Sequence, residues 1–307
     1  MPKQLVRADF ASGPCIEFLS FLKTLQNPDG GWGFHAGEAS RVEPTSWAMR
    51  ALFDSAESLD SESFRRAAAF LHSSQLADGS WPACAAMTAG SWITSLTCSV
   101  LAPDPRSVKS VAAGLKWLCE DLPRDSSLLR RFLQSLQAKS EIVSQNDSYH
   151  GWGWTPRTAS WVEPTAFALM ALREAVHEQL PANAARRRDL AVALLYDRMC
   201  PGGGWNCGNP RVYGVDGDAL VLPTCWALLA LRGSVRAAPE AGSARAAQEK
   251  DAPEMPGRAL SLAWLQKEFA KIESAASLAV ARITLEHYGI EPPSAKRTLR
   301  DWTAQDL

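Results

Sequence analysis

Two carboxylates stand in matched settings. Glu43 and Glu163 each sit in a Val-Glu-Pro-Thr tetrapeptide that leads into an apolar stretch. A carboxylate beside a helix start is favoured by the helix macrodipole and can cap the first turn. Among apolar side chains, or beside a second carboxylate, the same group holds its proton and becomes an acid. A second acidic pair, Asp216 and Asp218, lies in Val212-Tyr213-Gly214-Val215-Asp216-Gly217-Asp218-Ala219, a Gly-rich stretch where aspartate is at home in a turn. Arg41 and Arg157 stand in the loops before Glu43 and Glu163, placed to pair with them or to hold a diphosphate head group. His35 and His150 flank tryptophans in Gly-rich turns, where a loop histidine and a base are both open readings. Seven cysteines form no CxxC pair and no zinc-finger spacing, so a disulfide framework is not expected. Cys200 and Cys207 bracket a Gly-rich turn; metal or redox chemistry there stands against the usual fate of free cysteine as a small buried hydrophobe.

The elements that must position these groups repeat. Twelve tryptophans stand against four tyrosines and ten phenylalanines, and their placement follows a unit. Gln26-Asn27-Pro28-Asp29-Gly30-Gly31-Trp32 recurs as Gln75-Leu76-Ala77-Asp78-Gly79-Ser80-Trp81, then degraded around Gly151-Trp152 and Gly203-Gly204-Trp205. After each tryptophan comes a loop, then an apolar stretch aligned on Thr45, Thr94, Thr165 or Thr224. An amphipathic helix that stops at glycine and returns through Pro-Thr into a helix apolar nearly all round is an αα-hairpin with an outer and an inner member. Outer helices are predicted at 62–75, 107–120, 187–199 and 257–271, and a further inner helix at 274–288. Residues 124–139 read as helix, inner or outer. The pitch predicts five to six hairpins closing into an α/α toroid, an all-α fold over 1–307 as a single domain, with a disordered insertion at 233–256.

The Gln-x-x-Asp-Gly-Gly/Ser-Trp turn followed by Thr-x-x-Ala-Leu-x-Ala-Leu resembles the QW repeats of squalene–hopene cyclases and other class II terpene cyclases over residues 14–290. It is similar, more distantly, to the β subunits of protein prenyltransferases. The chain is about half the length that the resemblance implies for two-domain cyclases. The family's Asp-x-Asp-Asp-Thr motif supplies an acid that protonates an alkene or epoxide, after which aromatic faces shield the carbocation. Aligned on the helix threonine, the acid position falls on Glu43, Glu163 and Leu222. Aligned on the turn tryptophan, it falls on Asp218, with Asp216 as the neighbour that tunes it. Neither alignment keeps the whole motif. Trp47, Trp92, Trp161, Phe167 and Trp226 at inner-helix starts, with Tyr213, are candidate walls of an apolar pocket for an isoprenoid chain.

The resemblance implies acid-initiated cyclisation or isomerisation of a polyprenyl substrate without metal or other cofactor. Two alternatives are a prenyl-lipid binding module that has lost its acid, and a zinc prenyltransferase-like subunit drawing on His35 or His287. The turn tryptophans themselves are expected to pack under the neighbouring hairpin, with the indole N–H tied to the turn. A net charge of −1, from 32 Lys+Arg and 33 Asp+Glu, argues against a nucleic-acid partner. No apolar run is long enough to cross a bilayer, and the first residues lack a secretory h-region. The expected compartment is the cytoplasm, with peripheral membrane contact compatible with a lipid substrate.

Overall fold

The structure is a computed structural model that describes residues 13–54, 58–121, 123, 145–146, 148–232 and 257–295. Among these, the fold is all-α and built from helical hairpins. Its helices are α1 (Gly13–Thr24), α2 (Val42–Asp54), α3 (Glu62–Ser73), α4 (Ile93–Leu101), α5 (Val108–Glu120), α6 (Val162–Glu174), α7 (Ala184–Asp197), α8 (Val221–Leu231), α9 (Arg258–Phe269) and α10 (Ala275–His287). One two-residue hairpin pairs β1 (Arg211–Val212) with β2 (Val215–Asp216). The segments 124–139 and 233–256 lie outside the described residues.

The chain divides into two compact units. The first comprises Met1–Leu122, Trp154–Arg157 and Met170–Ala184; the second holds the remainder. In the first unit, α2 packs on α1, α3 and α4, and α4 packs on α5. Outer helix α3 shows why its sequence folds this way. Ser61 caps it by accepting the Phe64 amide, and Phe64, Ala67, Ala68 and Leu71 form one buried stripe. Inner helix α4 has no polar face, and all nine of its residues are buried. In the second unit, α8 packs against α9 and α10 and is buried from Pro223 onward except at Trp226. Helix α10 departs from the expected inner type. It buries Leu278, Ala281 and Leu285 but exposes Arg282, Ile283 and Glu286, so it is amphipathic. In α1, Phe18 and Phe21 also face solvent despite their apolar spacing.

One clasp recurs in all four copies and fixes where each inner helix begins. The threonine hydroxyl accepts the backbone N–H of the turn tryptophan: Thr45 from Trp32, Thr94 from Trp81, Thr165 from Trp152 and Thr224 from Trp205, at 2.9–3.0 Å. At Trp32, Trp81 and Trp205 the indole N–H bonds to a helix and not to the turn that the sequence suggested. In three copies it reaches the last part of the preceding outer helix, ten residues back, at Leu22, Leu71 and Leu195 carbonyls. The ring thus closes the hairpin from beneath, and the indole spans outer helix and turn.

Each turn is also fastened to the next outer helix. Gln26 donates to its own Gly30 carbonyl and to Ser63 in α3; Gln75 does the same with Gly79 and Ser110 in α5. The later copies lack this glutamine and use other groups. Arg187 in α7 donates to the Gly151 carbonyl and stacks 4.2 Å over the Trp152 ring, and Ser261 in α9 accepts the Gly204 amide. Glycine is required at the first two turns. Gly30 and Gly79 have φ of 93° and 91°, and a Cβ there would lie 2.4 Å from the Arg66 carbonyl oxygen or 2.7 Å from that of Ala113.

Candidate functional site

In the first unit, Glu43 lies in the first turn of α2 and is half-buried. Burial pushes its carboxyl above the ordinary range, and a hydrogen bond from Trp47, one turn along, opposes that shift. Arg41 is exposed, its backbone bridged to Trp32, and among the described residues it forms no ion pair with Glu43. Trp92 stands at the start of α4, half-buried. Its ring meets that of Trp154 edge-on at 5.4 Å, and its backbone N–H donates to the Trp154 carbonyl. Arg157 is exposed and holds a left-handed backbone, φ 59°.

In the second unit, Glu163 lies in the first turn of α6 and is half-buried. Burial alone pushes its carboxyl up, and no opposing hydrogen bond acts on it. One turn along, Phe167 is buried and its ring stands 4.9 Å from Trp226 of α8, tilted 47°. The loop after Trp205 closes over this end of the helix. The Cys207 carbonyl accepts the Val162 amide, and the Cys207 thiol is pushed up first by burial and then by the charge of Glu163. An acid in a dry setting with aromatic faces beside it can give up a proton and shield the cation that forms. Trp161 precedes the helix, bridges Trp152 and is 37% exposed.

The fourth copy has the longest loop. Tryptophan and clasping threonine lie thirteen residues apart in the first three copies and nineteen apart in the fourth. The fourth copy keeps both ends of the clasp, and its longer loop carries the hairpin of β1 and β2. Asp216 and Asp218 belong to that loop rather than to an inner helix, and both are exposed. Asp216 faces Arg211 across the hairpin at 3.5 Å. Tyr213 occupies the hairpin tip, 74% exposed with φ 50°. Cys200 is buried and Cys207 half-buried, and both are free thiols.

Two polar clusters had no signal in the sequence because their members are far apart along the chain. Arg50 of α2 pairs with Glu174 of α6 at 3.0 Å, and Ser99 of α4 donates to the same carboxylate. Between outer helices, His72 Nε2 lies 2.9 Å from Ser107 Oγ, which bonds to Asp104, itself paired with Arg106. Among the described residues, no three His, Cys, Asp or Glu side chains stand together as a metal site. None of the described helices is long and apolar enough to cross a membrane.

No family model matches the chain. It is similar to a drimenyl diphosphate synthase of Streptomyces showdoensis, with 24% identity over 247 residues, covering 68% of this chain and 45% of that protein. The chain thus spans less than half the length of this curated relative. Among solved structures, the type II terpene cyclase MstE from Scytonema aligns with a TM-score of 0.49 and 18% identity, over 86% of this chain and 65% of its own. A variant of that enzyme solved with geranylgeranyl dihydroxybenzoate aligns equally well.

Proposed function

We propose that the chain carries a terpene cyclase-like activity in which Glu163 starts the reaction as a general acid. The observation that carries this reading is the position of Glu163: half-buried at the first turn of an inner helix, with the Phe167–Trp226 pair one turn away. Glu43 is the second candidate, but the Trp47 hydrogen bond favours its charged form. Asp216 and Asp218 are exposed in the loop that carries the β hairpin, not at the start of a helix beside the Phe167–Trp226 pair. The likeness to a drimenyl diphosphate synthase supports an isoprenoid substrate.

In this reaction the Glu163 O–H bond breaks and its proton forms a C–H bond with an alkene carbon of a polyprenyl chain. The π electrons supply that bond and leave a tertiary carbocation. A second alkene of the same chain donates its π electrons to close a ring. Loss of a proton from a neighbouring carbon ends the sequence, so substrate and product are isomers. Phe167 and Trp226, in ring contact at 4.9 Å, would offer their faces to the cation. Arg157 and Arg41 remain candidates for contact with a diphosphate head group, and Trp47, Trp92, Trp161 and Tyr213 for contact with the chain. The test is incubation of the protein with farnesyl and geranylgeranyl diphosphate, followed by phosphatase treatment and gas chromatography–mass spectrometry. Cyclic alcohols absent from the Glu163→Gln variant are expected. Products that persist unchanged in that variant would remove Glu163 as the acid.

A further inference from the structure

The face of α2 that carries Glu43 leads to a second polar centre. Glu43, Trp47 and Arg50 follow at i, i+4 and i+7, so they share one face, with Arg50 about 10 Å along the axis from Glu43. Arg50 Nη1 reaches both carboxylate oxygens of Glu174, at 3.0 and 3.2 Å, and the Ser99 hydroxyl at 3.4 Å. Ser99 donates in turn to Glu174 Oε2. The Arg50 and Glu174 side chains keep 25% and 17% of their exposure, so these two members of the cluster reach solvent.

Two hydrogen-bonding capacities are left over. A carboxylate has about four acceptor positions, and Glu174 Oε1 uses one of its own, for Arg50. Ser95 stands one turn before Ser99 on the same face of α4. It is 1% exposed, and its hydroxyl has no hydrogen-bond partner. Buried hydroxyls in folded proteins are nearly always satisfied, by protein, water or ligand. An anion here would meet the Glu174 carboxylate, and a cation would meet Arg50. The charges select a neutral group that both donates and accepts.

We propose that Glu174, Ser95, Ser99 and Arg50 form a subsite for an alcohol hydroxyl, which donates to Glu174 Oε1 and accepts from Ser95. The prenyl chain as the body of that alcohol rests on the proposed function; the hydroxyl subsite rests on the cluster alone. The experiment is a tryptophan-fluorescence titration of the full chain with farnesol and with farnesene, a hydrocarbon of the same skeleton. Wild type is expected to bind farnesol at least tenfold more tightly. Ser95→Ala and Glu174→Gln are each expected to lose that preference. Ser95→Ala should unfold at the wild-type temperature, since its hydroxyl supports nothing in the fold, and so it keeps the test intact if Glu174→Gln fails to fold. Equal affinities in wild type (a resident water filling the subsite gives this result), no farnesol binding, or a preference that survives in Ser95→Ala would overturn the proposal. Preference for farnesol without cyclised products removes the acid chemistry and keeps the subsite; products without preference remove the subsite alone.

Discussion

Replacing a clasp threonine with valine tests the geometry on which every inner helix depends. Thr45, Thr94, Thr165 and Thr224 are all fully buried, and each hydroxyl takes the tryptophan amide at 2.9–3.0 Å. Each also donates back to the same tryptophan's carbonyl, at 3.2–3.5 Å. Valine fills nearly the same volume but offers no acceptor, so the amide is left buried and unpaired. That costs about 1–3 kcal/mol. Serine keeps the oxygen and loses one methyl, worth about 1 kcal/mol or less. For a chain of this size the melting temperature moves by about 1.6 °C per kcal/mol. Thr94→Val is therefore expected to lower it by roughly 1.5–5 °C, with Thr94→Ser at the low end of that loss. Circular dichroism at 222 nm during heating, with urea titration at fixed temperature, reads both. Valine variants within about 0.5 kcal/mol of wild type at all four sites would refute the clasp. So would serine variants as damaged as the valine ones.

Other outcomes follow from the same structure. Glu163→Gln should reduce product formation from farnesyl or geranylgeranyl diphosphate by at least about 100-fold, the usual scale for loss of a general acid. The same variant should be more stable than wild type at neutral pH. Burial raises the folded-state pKa of Glu163 above its unfolded value, so its stabilising effect is full below that unfolded value and is lost as pH rises through the folded one. The advantage of Gln should disappear in denaturation curves taken below about pH 4. His72 has the opposite sign. Burial lowers its pKa, with Asp104 opposing and Arg106 assisting, so stability should fall as pH drops below about 6.5, and His72→Gln should flatten that slope. Gly30→Ala should cost more than the roughly 1 kcal/mol of an ordinary glycine change, because it combines a positive φ with a Cβ pressed on the Arg66 carbonyl; urea denaturation measures it.

Local signals carried the hairpins. Apolar spacing, glycine at the turn and Pro-Thr at the next helix each act over a few residues, and the helices fall where those signals place them. The recurring threonine was visible as a pattern, though its bond to the tryptophan amide was not, since that contact forms only after the chain reverses. The fourth copy leaves two alignments open in the sequence for the same reason: its extra residues fold into a hairpin of their own between tryptophan and threonine. Glu43 and Glu163 could be picked out as a matched pair, but not ranked. Which way the Trp47 side chain turns toward Glu43 is not written in the spacing, and the Cys207 loop closing over the other is a tertiary fact. Arg50 and Glu174, 124 positions apart in sequence, offered no local cue, and an ion pair between distant helices leaves none in a single chain.

The clasp also separates two tasks that a loop otherwise has to perform together. Because each loop is gripped at its tryptophan and again at its threonine, the start of the following helix is set by the grip and not by the number of residues between. The fourth loop accommodates its hairpin with both grips intact. The stretch between the grips behaves as an exchangeable cassette, and new chemistry can be written there without disturbing the scaffold that presents it.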